Sequence, residues 1–305
     1  MSRGVKMKKA FFMGTFVLLL SGCSTNMQQQ IMPLADTLLP HTGISAEKRE
    51  QILKIGNSFV KSIEDITPDQ EYYIGRTVSA KVFSEYQPYK NQSMDEYVTM
   101  VGNQLSYHSD TPITFGGYHF QILNSDEINA FAAPGGFIFI TRGMLRCARN
   151  EDQLAAILAH EIGHISNTHG LKTIKNSRWS EFGSVLAVES AKQYSKKDVA
   201  KLVSVFENSI NDVVSNLMVN GYSREYEYEA DATAIKILER SGYDPTALTQ
   251  MLHEMEKKVK SGDKGFGSTH PLPLERIENL KEARFEAVQI PMIRNQRFAK
   301  NMKNI

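Results

Sequence analysis

The spacing of apolar and polar residues predicts helices in the first part of the chain. A helical pattern starts at Ser45. Residues 67–70, TPDQ, then supply an N-cap, a proline at the first helical position and a capping-box glutamine, which predicts a helix that runs to Tyr86. Ser93 followed by Glu96 marks the start of a further helix in the same way.

The pattern changes between Tyr118 and Leu145. Two short runs rich in β-forming residues, YHFQIL and GFIFIT, are separated by NSDEINAFAAPGG. Short runs of this composition with turn residues between them are typical of neighbouring strands. This region therefore predicts a small antiparallel sheet.

The second half of the chain has a mainly helical pattern. Asn150 is a suitable N-cap, and the helix that follows has an apolar side made of five residues, Leu154, Ile157, Leu158, Ile162 and Ile165. Glycine, asparagine and proline interrupt the later helices near 220–221, at 242–245 and at 261–273. The predicted fold class is α+β, mainly α, with one small sheet.

The N-terminus has the features of a targeting segment. Basic residues precede the apolar run AFFMGTFVLLL, which is short for a membrane span, and LSGC ends at Cys23. LSGC resembles the bacterial lipobox, in which the cysteine is lipidated; the alternative is an ordinary signal peptide that ends near a cysteine. Ser24 follows the cysteine, and by the same resemblance we expect an outer-membrane lipoprotein that faces the periplasm.

These features predict four segments. Residues 1–22 are the lipoprotein signal peptide, and 23–43 are the lipidated N-terminus with a polar, proline-containing linker. Residues 44–290 form one folded domain, and 291–305 are a C-terminal tail. The lipid on Cys23 is then the expected attachment to the membrane.

Composition narrows the function classes. The chain has 305 residues, of which 41% are hydrophobic, and 35 basic residues nearly balance 34 acidic ones. A nucleic-acid-binding protein needs a broad positive field, which this balance does not provide. We therefore expect no nucleic-acid partner.

The most informative motif is HEIGH at residues 160–164. If residues 151–167 form one helix, His160 and His164 project from the same face one turn apart, so that both imidazoles can bind one metal ion. Glu161 can then reach a metal-activated water and take its proton. The alternative is two surface histidines with a glutamate between them by chance, so a third ligand has to be found.

His169 is near in sequence but lies five residues after His164, which turns it away from the face that carries the ligands. We expect it to support the helix end or cap its last carbonyls. SREYEYEAD, further along, is a better source: Glu227 and Asp231 share a helix face, so that one can bind the metal and the other can hold a ligating histidine. The alternative is an exposed acidic helix.

HEIGH and SREYEYEAD together resemble the motifs of the HtpX-like family of gluzincin metallopeptidases, which includes the CAAX prenyl endopeptidases. NAFAAPGG, FIFITRGML and STHPLPLERI also resemble that family, and the resemblance covers residues 67 to about 285. The resemblance implies that His160, His164 and Glu227 bind one zinc ion per chain, with Glu161 as catalytic base. It also implies a zincin-type helical core with the sheet beside the active-site helix.

The resemblance implies that residues 44–290 are a zinc metallopeptidase domain. Because no apolar run after residue 23 is long enough to span a membrane, we expect the chain to belong to a soluble periplasmic lipoprotein branch of the family. It implies an endopeptidase that hydrolyses misfolded or misassembled cell-envelope proteins, with protein or peptide substrates and the envelope assembly machinery as partners. The alternative is a non-catalytic periplasmic chaperone or assembly factor with the same fold.

Two further stretches are candidates for substrate contact and regulation. GFIFITRG is the candidate edge strand for an extended substrate, with Asn129, Phe137 and Phe139 as contact residues; the alternative is a plain hairpin. His270, in a glycine- and proline-rich stretch, either donates to the oxyanion or occupies the open metal position and silences the enzyme. The structural alternative is that His270 lies near the cap of the last helix.

Overall fold

A computed structural model of the chain describes residues 67–173, 211, 214–258, 266–281, 287–303 and 305. The predicted helix from Ser45, the predicted signal peptide and linker, and Cys23 lie outside these residues. The described residues belong to one compact unit. Within them, no helix combines the length and apolar character needed to cross a bilayer.

Helices make up most of the described chain, which confirms the predicted α+β, mainly α class. They are α1 (Pro68–Glu85), α2 (Gln92–Tyr107), α3 (Arg142–Leu145), α4 (Glu151–Ser166), α5 (Arg224–Ser241), α6 (Thr246–Glu256), α7 (Phe266–Thr269), α8 (Pro273–Leu280) and α9 (Met292–Met302). A π-helical segment, Asn216–Asn220, precedes α5. The predicted 291–305 tail thus contains a helix.

Three predicted N-caps can be compared with the structure. Asn150 caps α4 and accepts a hydrogen bond from the Gln153 backbone at 2.8 Å, as expected. At α1, Thr67 N donates to Gln70 Oε1 at 3.1 Å. The predicted start of α2 at Ser93 is wrong, because Asn91 is the cap and the helix begins one residue after it.

The sheet has three strands in the order β1-β3-β2: β1 (His119–Leu123), β2 (Ala130–Ala133) and β3 (Phe137–Thr141). β2 and β3 are antiparallel, but β1 and β3 are parallel. The expectation of an antiparallel sheet is therefore wrong for one of the two pairs. The reason is the extra strand β2, which lies between the two predicted strands in the sequence. It forms the antiparallel pair with β3, so β3 runs in the same direction as β1.

Helix α4 is the central element. All residues from Glu151 to Ile165 are buried, because the helix packs against β2 and against α2, α5 and α6. Gly163 lets α5 approach closely, since a Cβ at this position would lie 2.8 Å from the Ala230 carbonyl oxygen. A helix that is buried on every side also buries its polar residues, which must then find partners.

Two of these polar residues, Glu151 and Asp152, lie fully buried at the start of α4. Glu151 accepts hydrogen bonds from the Tyr97 and Tyr243 hydroxyls and pairs with Arg297 of α9. Asp152 Oδ1 accepts from Arg294 of α9 at 3.0 Å and from a backbone amide. Helix α9 has no buried residue of its own, so these arginines connect it to the start of the helix that carries HEIGH.

Candidate metal centre

His160 and His164 lie on the last turns of α4, and both rings are buried. Because they are four residues apart in a helix, they project from one face, and their Nε2 atoms are 3.1 Å apart. The rings are perpendicular, with centroids 4.7 Å apart. This arrangement directs two nitrogen lone pairs toward one point.

Glu227 completes a triangle of donor atoms from the first turn of α5, where Ser223 is the N-cap. Its Oε2 is 3.5 Å from His160 Nε2, and its Oε1 is 3.4 Å from His164 Nε2. A tetrahedral zinc with ligands about 2.0–2.1 Å away separates neighbouring ligand atoms by about 3.3 Å. The two Nε2 atoms have about this spacing, and each lies at a similar distance from one of the two Glu227 oxygens, so the three predicted ligands converge on one point as a metal site requires.

The charge of the cluster also suits a divalent cation. Glu161, Glu227 and Asp231 are buried carboxylates, and Arg276, 2% exposed, is the permanently charged cation in contact with this group among the described residues. With all three carboxylates ionised and both histidines neutral, as a metal site needs, these charges leave two negative charges without compensation; a proton on His160, whose pKa is raised to about 9, offsets one of them when no ion is bound. Because isolated buried charges are costly, a bound divalent ion would stabilise the cluster.

Asp231 orients the first histidine. Its Oδ1 is 2.9 Å from His160 Nδ1, and it also forms a two-point ion pair with Arg276, in which Nε donates to Oδ2 at 2.9 Å. If His160 Nδ1 donates to Asp231, its Nε2 has no proton and is available to a metal. Asp231 thus lies where the sequence interpretation expected it, beside a ligand and one helical turn after Glu227.

The pKa directions of the two histidines differ: that of His164 fits a neutral ligand, whereas that of His160 is raised, so His160 has to release a proton to bind a metal. Burial lowers the pKa of His164 well below its usual value, which keeps the ring neutral. Burial and Arg276 also lower the pKa of His160, but its hydrogen bonds to Asp231 and Glu227 outweigh them and raise it to about 9. Burial opposes ionisation of Glu227, yet the neighbouring histidines hold its pKa well below the usual range.

Glu161 lies beside the donor triangle and is 1% exposed. Its Oε2 has no hydrogen-bond partner among the described residues, and burial raises the pKa of its carboxyl group. A buried carboxylate oxygen with no protein partner is suited to a water molecule or a substrate proton.

His270 lies at the same point, between α7 and α8. Its Nδ1 is 2.7 Å from Glu227 Oε2, its Nε2 is 3.4 Å from the Ala130 carbonyl oxygen, and its ring stacks on Phe266 with centroids 4.1 Å apart. Donor atoms of His160, His164, Glu227 and His270 all lie within 4.8 Å of one another. His270 also lies two residues before Leu272, the N-cap of α8, so it is near the start of that helix, as the structural alternative expected.

His169 has a different place from the one expected. It caps no carbonyl of α4, because its Nδ1 lies 2.8 Å from His164 Nδ1 and its Nε2 lies 3.1 Å from Glu229 Oε2. The Gly163 carbonyl, near the end of α4, accepts a hydrogen bond from Asn167 Nδ2 at 2.9 Å. His169 is therefore a neighbour of a candidate ligand and not a helix cap.

The candidate edge strand is a further correction. GFIFITRG contains β3, which is the central strand of the sheet, so its N–H and C=O groups pair with β1 and β2 and offer no edge. Phe137 stacks on His119, and Phe139, which is buried, stacks on Phe131. These two side chains contribute to packing and do not border the metal cluster.

Asn129, the third predicted contact residue, is fully buried just before β2. Its Oδ1 accepts from Thr269, next to His270, at 3.3 Å, and its Nδ2 has no partner in the described part of the chain. The Ala130 and Ala132 carbonyls of β2 point away from β3, toward His270 Nε2 and the Tyr222 hydroxyl. The sheet edge beside the cluster is thus β2.

Two residues of the site were missed by the sequence interpretation. Arg276 lies in the LERI part of a motif that drew attention only for His270, and nothing in its spacing indicated burial. Tyr222 directly precedes SREYEYEAD; its ring stacks on His164 with centroids 4.5 Å apart. Its proximity to that motif was the one available signal.

Comparison with known proteins found one family model and several relatives. A model of peptidase family M48 matches residues 92–284. The β-barrel assembly-enhancing protease of Escherichia coli K12 is 30% identical over 210 residues, which cover 66% of this chain and 40% of that protein. The protein of the same name from Yersinia pestis is 29% identical over 274 residues, which cover 87% of this chain and 51% of that protein.

A more distant relative comes from a eukaryote. The mitochondrial metalloendopeptidase OMA1 of Schizosaccharomyces pombe is 28% identical over 167 residues, which cover 54% of this chain and 46% of that protein. The chain thus spans about half the length of the curated relatives it matches. HEIGH, SREYEYEAD and His270 all lie within the matched region 92–284.

Proposed function

The chain belongs to peptidase family M48, and we propose that it is a zinc metalloendopeptidase in which His160, His164 and Glu227 bind one zinc ion and Glu161 is the catalytic base. The observation that carries this proposal is the convergence of the three side chains: the two Nε2 atoms are 3.1 Å apart, and they lie 3.5 and 3.4 Å from Oε2 and Oε1 of Glu227, respectively. Glu161 Oε2, buried and unpartnered beside it, supplies the base.

His160, His164 and Glu227 would hold the zinc ion, which would supply Lewis acidity toward a peptide carbonyl and a water molecule. Glu161 takes a proton from the attacking water on its free Oε2 and delivers it to the nitrogen of the departing amine. Asp231 Oδ1 and the Arg276 guanidinium lie 2.9 and 3.0 Å from His160 Nδ1; when Nδ1 donates its proton to Asp231, Nε2 is available as a ligand. Arg276 keeps Asp231 ionised and in place through its two-point ion pair.

Glu161→Gln tests the base. We expect peptide hydrolysis to fall by about 10²- to 10⁴-fold, because the amide cannot accept the proton, while one zinc per chain is retained. Cleavage of casein or of a denatured outer-membrane protein, together with metal analysis, provides the measurement. Glu239→Gln, an exposed change on α5, is the matched control. Wild-type cleavage by the Glu161→Gln protein would contradict the mechanism.

We propose misfolded or misassembled envelope proteins as substrates, since two matched bacterial relatives are named β-barrel assembly-enhancing proteases. The non-catalytic chaperone or assembly factor is the alternative. It differs in one respect that the same assay measures: a chaperone prevents aggregation of a denatured envelope protein without cutting it. The buried Glu161 favours the enzyme, because a scaffold has no use for an unpartnered carboxylate at a metal site.

An extended substrate would pair with β2, the strand that borders the cluster. In an antiparallel strand the N–H and C=O of one residue point to the same side. The Ala132 carbonyl faces the Tyr222 hydroxyl at 3.3 Å, so the Ala132 N–H also faces outward. Backbone pairing at this edge would bind many sequences, as a protease for unfolded chains needs.

Two proline substitutions test this assignment. Ala132→Pro removes an outward N–H and no ladder hydrogen bond, so we expect a folded protein with a raised KM. Phe139→Pro removes a ladder bond in the central strand, and we expect it to lower the unfolding midpoint. Circular dichroism and peptide kinetics give the measurement. An unchanged KM in folded Ala132→Pro protein would exclude β2 as the substrate edge.

We further propose that His270 holds the resting site closed. Its ring is stacked on Phe266 and in contact with Glu227 and the β2 edge, so it covers both the metal cluster and the strand that a substrate would pair with. The competing role is donation to the oxyanion during turnover. Movement of the segment between α7 and α8 would be needed for the first role and not for the second.

His270→Ala distinguishes the two roles by sign. If His270 closes the site, basal proteolysis rises several-fold and self-cleavage appears on incubation. A lower kcat with unchanged zinc content would instead assign it to the transition state. Steady-state kinetics on a peptide, with zinc content measured on the same sample, decide between these outcomes. An unchanged rate and zinc affinity would remove both roles.

Within family M48 we propose the soluble, lipid-anchored periplasmic branch, on the outer membrane, rather than the membrane-spanning HtpX-like and prenyl-processing enzymes. The support is the LSGC sequence that ends at Cys23 and the Ser24 that follows it. The named bacterial relatives are consistent with a place beside the envelope assembly machinery.

Cys23→Ser tests the anchor. We expect the variant to leave the membrane fraction and appear in the soluble periplasm, because the lipid is the proposed attachment. Fractionation followed by immunoblotting is the measurement, and Ser24→Ala is the control that keeps the cysteine. An exported Cys23→Ser protein that still sediments with membranes would contradict the lipid anchor.

A further inference from the structure

The two candidate metal ligands of α4 are oriented by different partners. His160 Nδ1 faces Asp231, a carboxylate that is fully buried and paired with Arg276. His164 Nδ1 has neither a carboxylate nor a backbone carbonyl as its partner among the described residues. Its partner is another histidine, His169, at 2.8 Å.

Side-chain contacts lead from His169 to the protein surface. Its own ring is 0% exposed, but its Nε2 lies 3.1 Å from Oε2 of Glu229, whose side chain is 47% exposed. Lys172 is 3.6 Å from the same carboxylate. A continuous chain of side chains therefore connects the metal cluster to solvent.

The hydrogen-bond capacities along this chain determine the tautomers. A carboxylate only accepts, so His169 carries its proton on Nε2 and donates to Glu229. His169 Nδ1 is then an acceptor, which requires His164 to carry its proton on Nδ1. His164 Nε2 is thereby left without a proton and faces His160 Nε2 and Glu227, as a metal ligand must.

The backbone that places His169 is strained. Helix α4 ends at Ser166, and Thr168 adopts a φ of 54°, in the left-handed region that β-branched residues avoid. This turn interrupts the helix, and His169, directly after it, lies beside His164 and stacks on Tyr226 with centroids 4.5 Å apart at 8°. Strain of this kind persists only where the surrounding structure maintains it.

We propose that His169 is a positioning residue for the metal ligand His164, and that Glu229, at the surface, fixes the tautomer of His169. This inference rests on the proposed zinc site but concerns metal affinity and not peptide hydrolysis. Residues that orient metal-ligating histidines typically change metal affinity by about 10- to 100-fold.

Three variants of the full-length protein test it through zinc affinity, measured by competition with a chromophoric chelator. His169→Phe retains a ring that can stack on Tyr226 but has no nitrogen, and we expect about 10- to 100-fold weaker binding. His169→Asn retains an acceptor near the Nδ1 position and should recover most of the affinity. Glu229→Ala, with a half-exposed side chain, should weaken binding by a smaller factor.

Glu239→Ala, an exposed change on the same helix, is the matched control and should bind zinc like the wild type. The absorption spectrum of the cobalt-substituted protein adds a second readout, which should change in His169→Phe and stay similar to wild type in His169→Asn. Thr168→Gly should raise the unfolding midpoint with zinc affinity unchanged, because glycine adopts this φ without strain.

The outcomes separate this inference from the proposed function. If the wild type binds no zinc, the proposed function fails. If the wild type binds zinc and both His169→Phe and Glu229→Ala bind it equally well, the positioning role is wrong; Glu229→Ala keeps this test valid even if His169→Phe folds poorly. Wild-type affinity in His169→Phe together with weakened binding in His169→Asn would assign His169 to packing alone, because only the phenylalanine keeps the stacked ring.

Discussion

The rest of the site depends on how buried charge is neutralised beside α4. Glu161, Glu227 and Asp231 lie together in the interior, where an uncompensated carboxylate is too costly to keep. Arg276 compensates one charge through Asp231, and the two that remain match a divalent cation. This constraint explains why a residue of α8 is drawn into the centre, and why the segment with His270, which joins α7 to α8, lies over the ligands.

Rigid placement of α4 follows from the same need for partners. At its start, Glu151 and Asp152 are satisfied by arginines of α9; near its end, His160 and His164 are satisfied by α5 and by His169. The helix is thus held by polar contacts at both ends and by apolar packing between them, with Gly163 allowing α5 close enough for Glu227 to reach the histidines. A metal site needs donor atoms held to within a few tenths of an ångström, and this arrangement provides that.

The sequence was most informative where geometry is local. Four-residue spacing in a helix was enough to bring His160 to His164 and Glu227 to Asp231, and the Asn150 cap was correct. It was least informative where contacts join distant segments. AFAA has weak strand character, so β2 was missed and β3 was mistaken for an edge strand. The burial of Arg276 is a tertiary feature that no local pattern encodes, and so is the contact of His169 with His164 after the strained Thr168.

The central claim, that one zinc ion lies between α4 and α5, is tested most directly by anomalous X-ray diffraction on both sides of the zinc absorption edge. We expect a single anomalous peak per chain, bounded by Nε2 of His160, Nε2 of His164 and the Glu227 carboxylate. A peak at other residues, or no peak here in crystals of active protein, would contradict it.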